Sequence, residues 1–436
     1  MNRAMNRARA GLSFLAAAIA GSGIPLRAQV PDTAAAVTGV TDFTAACRRD
    51  HGVLWGRTLC GPIVVADPDT RFAVASQLPP GGAFVPHGGV FLGRVPDSLP
   101  LSNTSLDWAG RRWATVRLPL PADRFARTAL LVHESFHRIQ PALGLDGTDA
   151  LNAHLDERNG RYWLRLELRA LAAALRSGGP AARRAATDAA LFRAYRWSLY
   201  PGADTLENQL ERKEGLAEYT GDKLALAVTG APLSRVADDV ARFEERPTYV
   251  RSLGYGTGPA LGLLLDRYAP GWRPRVGRHS MARQLAAALR FVPPDDPAAA
   301  AAARAQAYDG ERLAREEDVR ESERQQRLAE LRARLVTGPV LVLRQSQLMR
   351  AFNPNNLIPL SPEGTVYPTG SFSAEWGSMD VTGGGALVAG DFRTVRVPVP
   401  ADTAGRPLRG EGWTLELAPG WRLAPGSRSG DLTVSR

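Results

Sequence analysis

Two histidines and a glutamate form a metal-ligand pattern in the first half of the chain, where His133, Glu134 and His137 give the sequence HESFH. Histidines four positions apart lie one above the other on a helix, so both imidazoles can reach one metal ion. Glu134 lies beside them, where its carboxylate reaches a water molecule rather than the metal. This spacing predicts a zinc hydrolase, with His133 and His137 as ligands and Glu134 as general base.

The flanking residues predict a helix for this pattern. Pro121 and Asp123 are typical of a helix start and Pro141 of a stop, so we expect a helix over residues 123–140. Apolar residues within it would bury one of its faces. The alternative interpretation is a partly buried helix whose two histidines serve only to make hydrogen bonds.

A catalytic zinc site needs a third protein ligand and one open position. The leading candidate is Glu214, which follows His137 by 77 positions. It belongs to a row of acids at helical spacing, called the acidic row here: Glu207, Glu211, Glu214, Glu218 and Asp222. Such a row can be a solvated helix face, but like charges at this spacing repel one another. A metal, together with histidine N–H donors, would balance them. The other candidate ligands are Asp149, His154 and Glu218.

The order of three motifs resembles that of the gluzincin zinc peptidases, which include the aminopeptidase N-like group. HExxH is followed by EGLA at 214–217, which matches EGxA, and by YGTG at 255–258, which is similar to a Tyr-x-x-Gly helix start. The resemblance covers residues 117–268 and implies a mainly helical zincin catalytic domain. It implies one Zn²⁺ ion held by His133, His137 and Glu214, with the Tyr255 hydroxyl at the oxyanion.

The chain departs from the aminopeptidases in two respects. Its interval between the second histidine and the ligand glutamate is longer, and its predicted strand at 112–118 lacks the GAMEN-like sequence that grips a free amino terminus. Other HExxH families match less well, because Asp149 directly follows Thr148 and breaks the aspzincin pattern, and Gln140 stands where metzincins carry glycine. A tyrosine before a glycine-rich helix start is often only a turn residue. Tyr219 and Tyr249 are the alternatives to Tyr255.

Length and patterning predict an α+β protein of two or three domains. We expect a signal peptide at 1–28, a small β-rich part of the catalytic domain at 29–121 and a helical zinc-binding part at 122–295. A charged linker helix at 296–336 and a C-terminal antiparallel β-module at 337–436 complete the predicted organisation. Because the linker segment is charged nearly all round, we expect it to bridge domains in solvent.

Individual elements follow from hydrophobic periodicity and turn residues. Strands are predicted at 62–66, 72–76, 90–95 and 113–120, and in the tail at 340–344, 379–383, 386–388, 394–399, 413–417 and 432–435. Helices are predicted at 123–140, 151–175, 181–197, 206–228, 233–245, 258–268 and 279–291. The strand at 112–118 leads into the HExxH helix, so we expect it to form the edge of a cleft and pair with an extended substrate.

The N-terminal segment and the two cysteines indicate an exported protein. Three early arginines precede an apolar run and a small residue, Ala28, which is typical of a secretory signal peptide. The run is too short to span a bilayer. In an oxidising compartment we expect Cys47 and Cys60 to form one disulfide. The sequence therefore predicts a secreted or periplasmic protein without an integral membrane segment in its mature chain.

The charge balance bears on possible partners. The formal net charge is +10, and Lys213 and Lys223 are the only lysines. A strongly basic chain can bind nucleic acid or a membrane surface. The arginines are spread evenly, however, and form no cluster interleaved with aromatic residues, which argues against a nucleic-acid partner. We expect a peptide or protein substrate, and the sequence leaves the oligomeric state open.

These patterns together predict a zinc-dependent metallopeptidase with Glu134 as its base. Two alternatives remain: a secreted binding protein that retains a metalloprotease-like scaffold, and a zinc hydrolase that acts on a non-peptide substrate. A degenerate scaffold often loses the base, whereas Glu134 is present.

Overall fold

A helix and a six-stranded sheet form the N-terminal part of the chain. The computed structural model describes residues 33–79, 83–344, 349–352 and 356–436, so the predicted signal peptide at 1–28 lies outside the described residues. Helix α1 (Thr33–Asp50) precedes six strands: β1 (Ile63–Ala66), β2 (Phe72–Ala75), β3 (Val85–His87), β4 (Val90–Arg94), β5 (Thr104–Trp108) and β6 (Arg111–Arg117). The strand order is β3-β4-β2-β1-β6-β5, with β1 and β6 parallel and the other pairs antiparallel.

Helix α1 was not predicted from the sequence. It contains β-branched residues and a glycine, which lower helix propensity. Its buried residues nevertheless include Ala36, Val40, Phe43 and Cys47, which are spaced three or four apart. Burial of this face against the core therefore outweighs the weak propensity of the segment.

The predicted disulfide is confirmed. Cys47 near the end of α1 is bonded to Cys60, three residues before β1, with Cα atoms 5.1 Å apart. The bond joins the first helix to the central strand of the sheet. It closes a short loop, for which the chain-entropy model gives about 3 kcal/mol of stabilisation.

The middle of the chain is helical. Its helices are α2 (Arg124–Ile139), α3 (Arg158–Arg176), α4 (Gly179–Leu199), α5 (Ala203–Leu210), α6 (Leu216–Thr229), α7 (Ser234–Phe243), α8 (Leu253–Tyr268) and α9 (Met281–Leu289). Helix α2 matches the predicted HExxH helix: the Asp123 carboxylate accepts from the Ala126 N–H at its start, and Pro141 follows its end. Helix α2 lies against α6, and α3 lies against α4.

The predicted helix at 206–228 is interrupted. Residues Glu211–Gly215 form a π turn between α5 and α6, in which the backbone hydrogen bonds span five residues instead of the four of an α-helix. A π turn often marks a functional position because it redirects side chains that a regular helix would place elsewhere. Here the turn contains Glu214, the predicted third ligand.

The charged segment after α9 packs against the helical middle of the chain, whereas we expected it to lie in solvent between domains. It forms α10 (Pro297–Ala305) and α11 (Gly310–Arg332), and α11 packs on α3. Glu317 of α11 is fully buried and accepts from Arg161 at 2.6 Å and Arg165 at 2.8 Å, both on α3. Ion pairing across the helix contact explains how a highly charged helix can be packed.

The C-terminal region consists of two sheets packed around their own apolar core. Its strands are β7 (Val340–Arg344), β8 (Met349–Phe352), β9 (Ile358–Leu360), β10 (Gly364–Tyr367), β11 (Gly370–Ala374), β12 (Gly377–Val381), β13 (Ala386–Val388), β14 (Thr394–Pro398), β15 (Leu408–Gly410), β16 (Trp413–Leu417), β17 (Arg422–Pro425) and β18 (Leu432–Ser435). The sheet orders are β17-β18-β7-β14-β13-β10-β9 and β15-β16-β12-β11-β8, antiparallel except for the β18–β7 pair.

The structure confirms an α+β protein with an N-terminal β region and C-terminal antiparallel sheets. The C-terminal core includes Phe372, Trp376, Trp413 and Leu415, all nearly or fully buried. Within the described ranges, the chain has no helix with the length and apolar character needed to cross a membrane.

Candidate metal centre

The candidate metal centre lies where α2 meets the π turn before α6. The Nε2 atoms of His133 and His137 are 3.0 Å apart. Glu214 Oε2 lies 3.5 Å from the first of these nitrogen atoms and 3.4 Å from the second. The structure thus brings together three residues that the sequence predicted as ligands, although Glu214 is 77 positions from His137.

The separations between these three atoms fit a tetrahedral zinc ion. With metal–ligand bonds of about 2.0–2.1 Å, two ligand atoms of a tetrahedron lie roughly 3.3 Å apart. The observed separations of 3.0, 3.4 and 3.5 Å bracket that value. Two imidazoles and one carboxylate are also a donor set that catalytic zinc sites use, with one position left for water or substrate.

Both imidazoles are oriented through their other nitrogen atom. The Nδ1 atom of His133 lies 2.7 Å from Glu218 Oε2, and the Nδ1 atom of His137 lies 2.8 Å from Gln140 Oε1. Each oxygen accepts from an Nδ1–H, which leaves the Nε2 lone pair free to bind a metal. Glu218, considered above as a ligand, therefore lies behind His133 and orients it.

Gln140 is a further residue of the candidate centre, to which the sequence analysis assigned no role. Its amide Nε2 donates to the carbonyl oxygens of Arg212 at 2.9 Å and Lys213 at 3.0 Å. One buried side chain therefore orients His137 and fixes the π turn that carries Glu214. The signal was its position, one helical turn after the second histidine, where side chains three residues apart are neighbours.

Glu134 lies beside the three candidate ligands, and one of its carboxylate oxygens accepts no hydrogen bond from the described residues. The residue is 5 % exposed, and its Oε2 atom is buried without a hydrogen-bond partner in the part of the chain that the structure describes. An orphaned carboxylate oxygen is costly in a protein interior. Burial raises the pKa of Glu134, although the nearby histidines oppose that shift. The arrangement suits a group that accepts a proton and passes it on.

Tyr255 reaches the site from α8. Its hydroxyl donates to Glu214 Oε2 at 2.7 Å, and its ring lies parallel to that of His133, with centroids 5.7 Å apart. Helix α8 starts at Leu253 rather than at the predicted residue 258, so Tyr255 lies in its first turn. Burial, followed by the charge of Glu214, raises the pKa of Tyr255. The hydroxyl is therefore a hydrogen-bond donor.

A glycine allows this approach of α8. A Cβ atom on Gly258 would lie 2.3 Å from the Cα atom of Gly215, so only glycine lets the two backbones touch. The contact places the first turn of α8 over the π turn, and with it the Tyr255 hydroxyl over Glu214. The glycines of EGLA and YGTG thus meet each other in the fold.

The other candidate residues lie away from the three ligands. Asp149 is exposed and pairs with Lys213, and the Nε2 atom of His154 lies 2.8 Å from Glu207. The Tyr219 hydroxyl bonds Asp266, and the Tyr249 hydroxyl donates to the Glu244 carbonyl oxygen. None of these four residues lines the cleft at the histidines.

The first two members of the acidic row are balanced by arginines rather than by a metal. Arg193 donates to Glu211 through two nitrogen atoms, at 3.0 and 2.6 Å. Arg196 binds Glu207 in the same two-point manner, with both distances 2.8 Å. Glu167 accepts from Arg193 at 2.6 Å, and its second oxygen contacts Arg196 at 2.8 Å without hydrogen-bond geometry. The expectation that a metal balances the whole row is therefore wrong for its first half.

Glu214 and Glu218, in the second half of the row, have imidazoles as partners. Burial raises the pKa of Glu214, but the imidazoles of His133 and His137, 3.5 and 3.4 Å from its Oε2 atom, outweigh that effect and hold the pKa well below its ordinary value. Burial lowers the pKa of His133, but the carboxylates of Glu214 and Glu218 raise it well above the ordinary value. This part of the site therefore favours positive charge, which suits a cation at the Nε2 atoms.

A cleft of about 260 Å³ opens over the three ligands. It is bordered by α2, the π turn and strand β5, with Thr104 and Ser105 in its wall. Strand β6 contributes Arg112 to the cleft wall, but its predicted pairing with an extended substrate is wrong, because β6 is paired on both sides, with β1 and β5. Strand β5 ends the sheet and has the free edge.

Comparisons with known proteins return no relative, since no family model, curated protein or solved structure matches the chain.

Proposed function

We propose that the protein is an exported zinc-dependent metallopeptidase of the gluzincin type. The observation that carries the proposal is the convergence of His133, His137 and Glu214 beside Glu134, whose buried Oε2 atom has no hydrogen-bond partner among the described residues. A helix with two merely satisfied histidines would not need a carboxylate from a distant element at both Nε2 atoms. Nor would it leave a second carboxylate unpaired in the interior.

His133, His137 and Glu214 would hold the ion, and their spacing and donor types support zinc. When bound, Zn²⁺ would polarise the scissile carbonyl group and lower the pKa of a water molecule toward about 7. The chain's contribution is to fix the three ligand atoms. Glu218 and Gln140 hold the two imidazoles through their Nδ1 atoms, and the Gln140 amide bonds the π turn that contains Glu214.

Glu134 would act as the general base. Its free oxygen would accept a proton from the attacking water, whose oxygen forms a bond to the carbonyl carbon. Glu134 would then deliver that proton to the leaving nitrogen as the C–N bond breaks. Burial favours the protonated form of Glu134, which the transfer must pass through. The Tyr255 hydroxyl would donate a hydrogen bond to the oxyanion that forms on the carbonyl oxygen.

The free edge of β5 would orient the substrate. An extended peptide can add to such an edge through main-chain hydrogen bonds. The edge borders the cleft at Thr104 and Ser105, so a peptide paired there would run past the three ligands. Export is supported by the N-terminal sequence pattern and by the Cys47–Cys60 bond, since disulfides persist in oxidising compartments.

The decisive test is Glu134→Gln. We expect this variant to keep one zinc ion per chain and the wild-type melting temperature, while its cleavage of a peptide library falls by about 10²–10⁴-fold. Metal analysis, a thermal melt and steady-state kinetics measure the three quantities. Glu323→Gln, at an exposed position on α11, is the matched control and should retain full activity. Near-normal turnover by Glu134→Gln would reject the assignment of the base.

A further inference from the structure

A second cavity adjoins the metal centre on the other side of Tyr255. This side pocket has a volume of about 330 Å³ and is enclosed by α2, α6, α7 and the start of α8. Apolar side chains form much of its wall, among them Phe125, Leu130, Val240 and Phe243. Glu218, which orients His133, and Tyr255 border it from the side of the metal centre. A substrate group next to the scissile bond could therefore enter the side pocket.

Asp222 is an unpaired acid at this pocket. It is 5 % exposed, it borders the cavity, and its carboxylate has no hydrogen-bond or ion-pair partner in the part of the chain that the structure describes. A buried carboxylate without a partner is costly. Burial, and then the charges of Glu218 and Asp239, raise the pKa of Asp222 well above its ordinary value. His133 and Arg235 oppose this shift, but neither forms an ion pair with Asp222 among the described residues.

Three arginines also border the side pocket, but two of them are already paired. Arg235 lies between Asp123, at 3.0 Å, and Asp239, at 2.6 Å. Arg242 pairs with Asp239 as well. The third arginine, Arg246, is exposed and lies over the rings of Phe243 and Tyr255. Asp222 is thus the buried acid of the pocket that has no ion-pair partner among the described residues, and a bound cation would stabilise its ionised form.

We infer that the side pocket binds a cationic substrate side chain, lysine or arginine, next to the scissile bond, with Asp222 as its counter-charge. The apolar wall matches the aliphatic stem of such a side chain, and the buried carboxylate matches its ammonium or guanidinium group. The inference rests on the proposed peptidase function. A substrate carboxylate bound by Arg246 is the competing arrangement, and it would leave Asp222 unpaired.

The kinetic test uses two sets of peptides, one varied at the residue before the scissile bond and one at the residue after it. In each set that residue is lysine, arginine, norleucine or glutamate. We expect the wild-type protein to cleave a lysine or arginine peptide with a kcat/KM about 30-fold or more above that of its norleucine match. Asp222→Asn should abolish this preference and leave norleucine cleavage unchanged. Asp238→Asn, exposed on α7, is the matched control and should keep the preference.

Several outcomes would overturn the inference. A preference for glutamate would assign the pocket to Arg246. Equal cleavage of all four peptides would remove any role in charge selection. An equal loss on every peptide in Asp222→Asn would make Asp222 a structural residue.

A binding measurement separates this inference from the peptidase proposal. Calorimetry with n-butylguanidinium should show binding to the full-length protein that is about tenfold weaker in Asp222→Asn, whereas butyramide should not bind. If no peptide is cleaved but this binding is found, the peptidase proposal fails and the cation pocket stands. If peptides are cleaved but no cation is bound or preferred, the pocket inference fails and the peptidase proposal stands.

Discussion

The two halves of the acidic row share residue type and spacing, yet they have different partners. Glu207 and Glu211 are buried against Arg196 and Arg193, which reach them from α4 with paired hydrogen bonds. Glu214 and Glu218 face the histidines of α2, and Asp222 faces a cavity and has no hydrogen-bond or ion-pair partner among the described residues. The difference shows that acids of similar type and spacing are distinguished by the groups that contact them.

The first half of the row supports the second. Glu211 begins the π turn, and it is held by Arg193 and by the Thr257 hydroxyl of α8, which donates at 2.7 Å. Because these bonds are buried and made to charged groups, they fix the turn that contains Glu214. Arg193 therefore helps to position Glu214 without contacting it. The imidazole Nε2 atoms that face Glu214 leave room for a cation between them and its carboxylate.

The largest effect is expected from breaking the arginine half. Arg193→Met leaves Glu211 buried without its arginine and Glu167 with Arg196 alone, so the free energy of unfolding should fall by about 3–5 kcal/mol. Denaturant unfolding of the metal-free protein measures the change. Arg312→Met is the control: its partners Asp309 and Glu316 are partly exposed, so this substitution should leave the free energy of unfolding nearly unchanged. Equal losses in the two variants would contradict a special role for the buried network.

Substitutions in the half of the row that faces the histidines should lower the affinity for zinc rather than the stability of the fold. Glu214→Ala removes a ligand, so zinc affinity should fall more than about 100-fold, beyond the loss expected for a residue behind the ligands. Competition with a chelator of known affinity measures it. Asp149→Ala provides the comparison and should retain the metal, because Asp149 is exposed and pairs with Lys213. If Asp149→Ala emptied the site and Glu214→Ala did not, the assignment of the third ligand would be wrong.

The smallest effect should come from Glu218, which acts through His133. Glu218→Gln keeps an acceptor for the Nδ1–H group but removes its charge, so zinc affinity should fall by about 10–100-fold without loss of the fold. The same chelator competition and a thermal melt measure both quantities. Unchanged affinity would show that the His133 contact is dispensable, and a loss as large as that of Glu214→Ala would make Glu218 a ligand.

Local sequence patterns predicted the elements whose signals lie within one segment. The HExxH helix, its Asp123 start, strands β1 and β2 and the disulfide all agree with the structure. Helix α1 was missed because its stability comes from burial rather than propensity. The π turn was missed because a five-residue widening leaves the apolar periodicity nearly unchanged.

The sequence by itself determined the pair of histidines, because positions four apart on any helix share a face. It also restricted the third ligand to a few acids and one histidine. Only the tertiary structure places Glu214 beside the two imidazoles and brings Gln140 and Glu218 to their Nδ1 atoms. It also shows that β5 is an edge strand. Finally, it shows that Glu207 and Glu211 pair with arginines, whereas Asp222 pairs with none among the described residues. The physical reason is that these contacts join residues far apart in the chain, so they depend on how whole helices and strands pack, whereas spacing within a helix is fixed by its own hydrogen bonds.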